Sequence, residues 1–349
     1  MEWPILVDSL NLLGVEAVPI TLFLDEKGIV KAINPQRASL KTFLTTPTDA
    51  SEVQEWVAPS ANELLTSQSG GRLVAGTQKF LWGGEIGLSE AVTDFERLVR
   101  DEPQDAVAHF RLGVSYRARY DSPSRESSDF AQAVRHWGAA LGLNPNQYIW
   151  RRRIQQYGPR LDKPYSFYDW VRQARSELAD RGLPPAPLVV EPGGAEFAYP
   201  VAEFEQEKAT EKNPDPEGRI YRDVDRLITL EAVAVPDRIK AGESVRIHLT
   251  LRPDSKRRVH WNNEVDDLLV WVEAGEGWLL DGNSYRIEVP EEPETTEERH
   301  LEFEAQLATV RERETQEISG YVLYYVCEDV NGQCLYRRQD FSVPVQRVK

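Results

Sequence analysis

Two cysteines, Cys327 and Cys334, carry all the thiol chemistry open to a chain of 349 residues. Both lie in the stretch YVLYYVCEDVNGQCLYRRQDFSVPV, residues 321–345. Apolar and aromatic residues fill most positions up to Val326, and Asn331-Gly332 follows, a dipeptide that tolerates the positive φ angles of a tight hairpin turn. The stretch therefore predicts two antiparallel strands. A four-residue loop over 329–332 sets the cysteines directly opposite, with Cβ atoms about 4.5–5.5 Å apart, and a small adjustment then permits a disulfide. A loop of Asn331-Gly332 alone makes Cys327 face Tyr336 and Cys334 face Asp329, leaving the sulfurs diagonal. The sequence is compatible with either register. In the first, the pair can be a redox couple or a plain staple. Bridging so short a loop removes little unfolded-state entropy, which favours a bond kept for exchange. Arg337 and Arg338 favour a thiolate here, and Glu328 and Asp329 oppose one.

The hairpin has to be positioned by the strands before it. Strand signals cover 227–235, 244–251, 268–273, 301–310 and 318–326. Alternation is clearest in Val245, Ile247, Leu249 and Leu251, with Arg246, His248 and Thr250 facing the other way, so one face is expected to be buried and the other wet. With the hairpin this makes seven or eight strands, the count of an immunoglobulin-like sandwich. The acidic loop 288–298 is too charged to pack.

Over about the last third of the chain, this hairpin in its strand-rich setting resembles the N-terminal periplasmic domain of the thiol:disulfide interchange protein DsbD. The resemblance implies an all-β immunoglobulin-like sandwich over 223–347, with Cys327 and Cys334 as the redox-active, catalytic cysteines on adjacent strands. It also implies an extracytoplasmic or periplasmic location and a protein partner, either a thioredoxin-like protein or a membrane thiol carrier. No cofactor and no metal are expected.

Composition bounds the rest of the chain. Its length suggests two or three domains. A hydrophobic content of 41% with nine tryptophans argues against general disorder. No apolar run approaches the roughly 20 residues that a membrane helix needs. With 41 basic against 57 acidic residues the net charge is −16, which repels nucleic acid and anionic membranes. Met1-Glu2-Trp3-Pro4 runs into the apolar Ile5-Leu6-Val7 without a basic region or cleavage site, so no secretory signal is read there.

The stretch WPILVDSLNLLGVEAVPITLFLDEKGIVKAI resembles the C-terminal part of a thioredoxin-like domain of the TlpA or peroxiredoxin-related type. Pro19 takes the cis-proline position, 21–25 the next strand, Lys27-Gly28 the turn, 29–33 its antiparallel partner, and 39–44 the start of the closing helix. The strand and helix that carry Cys-x-x-Cys in that fold do not precede it. The expectation is a partial α/β segment over 1–50, either because the chain starts inside the domain or because this is a degenerate half-domain packed on later helices.

Residues 45–71 read as a connector, and helical periodicity then takes over. Ala91, Phe95, Leu98 and Pro103 recur 42 residues later as Ala133, Trp137, Ala140 and Pro145. This resembles tetratricopeptide repeats, whose period is 34, with the polar 121–128 lengthening one turn. An all-α repeat array over 72–182 follows, either a partner-binding surface or a spacer. Within it, seven basic residues between Arg151 and Arg175 alternate with Trp150, Tyr157, Tyr165, Phe167, Tyr168 and Trp170. That cluster suits an anion or acidic partner, or a capping helix pair begun by Ser166 and Asp169. Proline, glycine and charge mark 183–222 as a linker.

His109, His136, His248, His260 and His300 are not at the short spacing of zinc ligands. His260-Trp261-Asn262 reads as an ordinary loop near a strand start, or else as the lining of a pocket. Phosphate-binding glycine loops and nucleophile elbows are absent. The expected function is thiol:disulfide exchange with a partner protein through one cysteine pair. The alternative is a non-catalytic helical-repeat interaction protein with a structural disulfide.

Overall fold

A computed structural model describes residues 8–15, 21–25, 29–33, 35–46, 71–160, 169–183, 212–308, 315–328 and 332–348. The chain is a multidomain protein that mixes α-helices with β-sheets. One unit comprises Met1–Glu126, Ala139–Arg152 and Phe167–Ala195, and the other Ser127–Gly138, Arg153–Ser166 and Glu196–Lys349.

In the first unit, β1 (Leu22–Leu24) and β2 (Val30–Ile33) pair antiparallel. Helix α1 (Ser39–Thr45) follows them and stacks Phe43 on Phe23 at 4.5 Å. Pro19 and the turn at Lys27-Gly28 lie outside the described residues. Helices α2 (Gly71–Trp82), α3 (Gly84–Asp101) and α4 (Ala106–Tyr120) come next. Asp105 starts α4 by accepting hydrogen bonds from the Val107 and Ala108 amides at 2.9 and 3.0 Å, which satisfies two donors that a helix start leaves orphaned. The α2–α3 turn depends on glycine, because a Cβ on Gly87 would sit 2.6 Å from the Lys79 carbonyl oxygen.

Helix α5 (Asp129–Leu143) begins after the polar 121–128 connection, and α6 (Tyr148–Gln155) and α7 (Asp169–Asp180) complete the described helices. Ala91 and Phe95 in α3, like Ala133, Trp137 and Ala140 in α5, are fully buried, as the small-and-aromatic pattern requires where helices approach closely. The basic aromatic run is partly spent on packing. Trp150 stacks on Phe110 at 5.1 Å. The buried Arg151 donates to the Pro145 carbonyl at 3.0 Å and to Glu177 at 3.4 Å. Tyr165, Ser166, Phe167 and Tyr168 lie outside the described residues.

The second unit carries β3 (Ile228–Val235), β4 (Arg238–Ile239), β5 (Ser244–Pro253), β6 (His260–Asn262), β7 (Leu268–Ala274), β8 (Trp278–Leu280), β9 (Ser284–Ile287), β10 (Glu294–Thr295), β11 (Arg299–Leu307), β12 (Thr315–Cys327) and β13 (Cys334–Arg347). Four strands form one sheet in the order β3-β5-β11-β8. The other sheet runs β10-β6-β12-β13-β4, and β12 also pairs with β7, which pairs with β9. Val245, Ile247, Leu249, Leu251 and Phe303 from the first sheet share one apolar core with Trp261, Val270, Val322, Tyr324 and Val326 from the second.

The outer face of the four-stranded sheet is not the wet surface that alternation suggests. Arg246 is 7% and Glu304 5% exposed, and Thr250 and Glu231 are buried as well. Alternation reports polarity, and these polar groups pair across the strands: Arg246 bonds Glu304 at 3.0 Å, and Arg252 pairs with Glu231. They are also covered. His248 Nε2 meets the Tyr157 carbonyl at 2.7 Å, Phe130 packs edge-on against the His248 ring at 5.2 Å, and the Arg160 amide donates to Glu304 at 2.7 Å. Residues 212–222, which composition assigns to a linker, are likewise tied down. Asp215 is buried and bonded to Arg338 at 2.8 Å, while Tyr321 donates its hydroxyl to Asn213 at 2.5 Å.

Glu302, on the same face but 37% exposed, lies 3.1 Å from His248 Nδ1 and 3.3 Å from Arg246. The hydrogen bond with His248 is the largest influence on it; burial opposes that bond, and the charges of His248, Arg246 and Arg160 add to it, so the carboxyl is held below its ordinary range. A depressed carboxylate contributes stability above its ordinary pKa, and the contribution disappears as pH falls through the folded-state value. Urea midpoints for the wild type and Glu302→Gln are therefore expected to differ most near pH 7 and to converge as the pH drops well below 4. Parallel curves over that range would mean that Glu302 carries no such linkage.

Candidate functional site

Strands β12 and β13 form the longest ladder, paired from Thr315↔Gln346 to Cys327↔Cys334. β-branched and aromatic residues make up most of β12, as the pleated surface favours. Midway along β12, Gly320 permits a tight crossing: a Cβ there would lie 2.3 Å from the Trp271 carbonyl oxygen and 2.6 Å from the Phe341 ring. The ladder adopts the register in which the cysteines are opposite, and they are bonded to each other, with Cα atoms 4.1 Å apart. That separation suits the narrow, non-hydrogen-bonded kind of antiparallel pair, about 4.5 Å.

Because side chains alternate along a strand, the odd-numbered residues of β12 point away from the shared core. Tyr321, Leu323, Tyr325 and Cys327 form this outer row, paired with Asp340, Arg338, Tyr336 and Cys334 of β13. The two cysteines differ in environment. Cys327 is 3% exposed, whereas Cys334 is exposed on the edge of the ladder end. Next to them Tyr325 and Tyr336 stack at 4.4 Å with an interplanar angle of 26°. Burial, followed by the neighbouring Tyr325 and acidic groups, pushes the Tyr336 hydroxyl up to about 12, so it remains a neutral phenol at ordinary pH.

The arginines that the sequence offers as thiolate stabilisers are placed elsewhere. Arg338 is held by Asp215 and Asp340 at 2.8 and 2.7 Å and lies over the Tyr321 ring. Arg337 pairs with Tyr324 and so shares the opposite face of the sheet. His260, which sequence reasoning named only as a loop or pocket-lining residue, is the group whose link to the cysteines it missed. It forms the first residue of β6 and lies directly across from Cys327, on the side away from Cys334. Its only signal in the sequence is its position before the apolar Trp261, and nothing local links it to a cysteine so distant in the chain.

The other histidines serve elsewhere: His109 meets the Pro103 carbonyl and His300 lies 3.6 Å from Glu298. Among the described residues no cluster of three or more His, Cys, Asp or Glu is arranged to hold a metal ion, and no helix is long and apolar enough to cross a membrane.

No protein-family model matches the chain, and no curated protein does. Among solved structures it is similar to the sporulation control protein Spo0M from Bacillus subtilis, at 9% identity over 35% of this chain and 50% of that one, with a TM-score of 0.21. The chain thus spans half the length of that protein. AvmM, described as catalysing macrocyclization in alchivemycin A biosynthesis, is similar at 15% identity over 35% of this chain and 90% of its own, with a TM-score of 0.18. The alkylpurine DNA glycosylase AlkC of Pseudomonas fluorescens, bound to DNA containing an abasic site analog, is similar at 9% identity over 81% and 75%, with a TM-score of 0.18.

Proposed function

We propose that the chain is a thiol:disulfide exchange protein whose Cys327–Cys334 pair passes two electrons to or from a partner protein. The observation that carries this reading is the asymmetric disulfide at the end of the hairpin, with Cys334 exposed and Cys327 buried. An incoming thiolate reaches the exposed sulfur and displaces the buried one, since exchange depends on which sulfur is accessible. The two cysteines are only seven residues apart, so the bond adds little loop-closure stabilisation.

The finer architecture belongs to the same proposal. We read the paired sheets as an immunoglobulin-like sandwich of the DsbD N-terminal kind, supported by their common core and by the cysteines on adjacent strands. Helices α2 to α5 are read as tetratricopeptide-like, supported by the recurring buried positions, and β1, β2 and α1 as part of a thioredoxin-like segment. On this reading the protein works outside the cytoplasm, and its partner is a thioredoxin-like protein or a membrane thiol carrier.

Equilibration of the full chain in graded dithiothreitol buffers, with free thiols counted by mass after alkylation, tests the function. The pair is expected to be half reduced at a potential above about −300 mV. A pair still oxidised below that value would be a structural staple, the role it has in a non-catalytic helical-repeat interaction protein.

A further inference from the structure

We propose that His260, backed by Glu294, sets the reactivity of the cysteine pair by holding an imidazolium beside the sulfur of Cys327; this rests on the exchange reading above. Cys327 is flanked on both sides, by Cys334 on β13 and by His260 on β6. Residues directly opposite in an antiparallel pair project to the same face with Cβ atoms about 4.5–5.5 Å apart. The imidazole and the Cys327 sulfur therefore share the outer face of the sheet. His260 is 7% exposed, so its interaction with a neighbouring charge is less screened than on open surface.

Two oxygens face the ring. Glu294 on β10 places a carboxylate oxygen 3.7 Å from Nε2, and the Arg258 carbonyl lies 3.4 Å from Nδ1. As imidazolium the ring can donate toward both. Of the acidic side chains, Glu294 lies beside the ring, and Glu328, which follows Cys327 in the chain, opposes a thiolate there. Arg338 is committed to Asp215 and Asp340. Among these groups, His260 is the basic side chain placed beside Cys327.

The step it serves balances as follows. A thiolate of the partner's dithiol attacks Cys334 Sγ, a new S–S bond forms, and the electron pair of the old bond leaves with Cys327 Sγ as a thiolate beside the imidazolium. The partner's second thiolate then attacks its own sulfur in the mixed disulfide. Cys334 leaves as a thiolate and takes a proton from water. The partner dithiol is oxidised to a disulfide and the cysteine pair is reduced. A neighbouring imidazolium lowers the pKa of a thiol, so it makes Cys327 the better leaving group and favours the reduced state of the pair.

The full chain, reduced with dithiothreitol, is titrated by thiolate absorbance, with differential alkylation read by mass to separate Cys327 from Cys334. Its reduction midpoint is measured in parallel. In His260→Gln the proton affinity of Cys327 is expected to rise about tenfold while Cys334 is little changed. The midpoint should become more reducing by about 30 mV, which is a tenfold change for a two-electron couple. Glu294→Gln, at a side chain 57% exposed and so tolerant of change, is expected to move both readings the same way by a smaller amount, and it keeps the test open if the His260 variant fails to fold. A Cys327 titration and a midpoint unchanged in these variants, in a protein whose wild-type pair exchanges above −300 mV, would overturn the role of His260 and leave the exchange reading standing. A wild-type pair that stays oxidised below that potential would overturn both.

Discussion

Replacing Trp261 with alanine is expected to destabilise the sheet-bearing unit by about 4 kcal/mol, the range found for deleting a buried large aromatic side chain. Trp261 is 0% exposed and stands opposite Val326 on the core face of β6. Its ring packs edge-on against Tyr324 at 5.8 Å and lies under the Arg299 guanidinium at 4.5 Å, and its indole nitrogen donates to the Glu297 carbonyl at 2.9 Å. Alanine at this position leaves a cavity between two sheets, an uncovered arginine and an unpaired carbonyl. Strand β6 is only three residues long, so the ring is also what anchors His260. Urea unfolding with the disulfide intact measures the effect. A loss below about 1 kcal/mol would mean that the core closes over the gap and that Trp261 is not its keystone.

The second large effect is expected from Lys79→Met in the helical unit, at about 3 kcal/mol or more, the cost of leaving a buried charge without its partner. Lys79 is 6% exposed on α2, and its ammonium lies 2.6 Å from Asp94 and 3.7 Å from Glu90 on α3. Methionine keeps the length of the stem but leaves the nearly buried Asp94 carboxylate facing Glu90 alone. The double variant Lys79→Met/Asp94→Leu is expected to recover most of the loss, because a buried ion pair replaced as a whole by apolar groups is often neutral in stability. Thermal unfolding followed by helical circular dichroism reads both. Should the double variant be as unstable as the single one, shape and not charge would be what holds α2 to α3.

Both effects depend on partners that no local pattern reveals, and the same division runs through the site. Alternation and β-branched residues made the strands legible: 227–235, 244–251, 268–273 and 318–326 are observed as Ile228–Val235, Ser244–Pro253, Leu268–Ala274 and Thr315–Cys327. The strand read over 301–310 runs Arg299–Leu307, and residues 309 and 310 lie outside the described residues. Helical periodicity likewise marked the positions that α3 and α5 bury. These signals were readable because side chains at fixed short spacing share a face whatever the remainder of the chain does.

By itself the sequence determined the type of the longer elements, the hairpin and the presence of both cysteines on it, but not the short strands β6, β8, β9 and β10, of which β6 stands where the sequence reads as a loop and β10 lies within the acidic 288–298. The tertiary structure alone decided among arrangements that satisfy that pattern equally. Two registers meet the hairpin's composition, and pairing along the whole of β12 and β13 selected the one that joins Cys327 to Cys334. Polarity placed Arg246, His248 and Thr250 on an outer face, but whether a polar face meets water or a second layer depends on what packs there, and here Phe130, Tyr157 and Arg160 pack against it. The approach of His260 to Cys327 is likewise a pairing between strands far apart in the chain. Such pairings are settled by the energy of the whole sheet and its core, and a local window of sequence contains only one side of each contact.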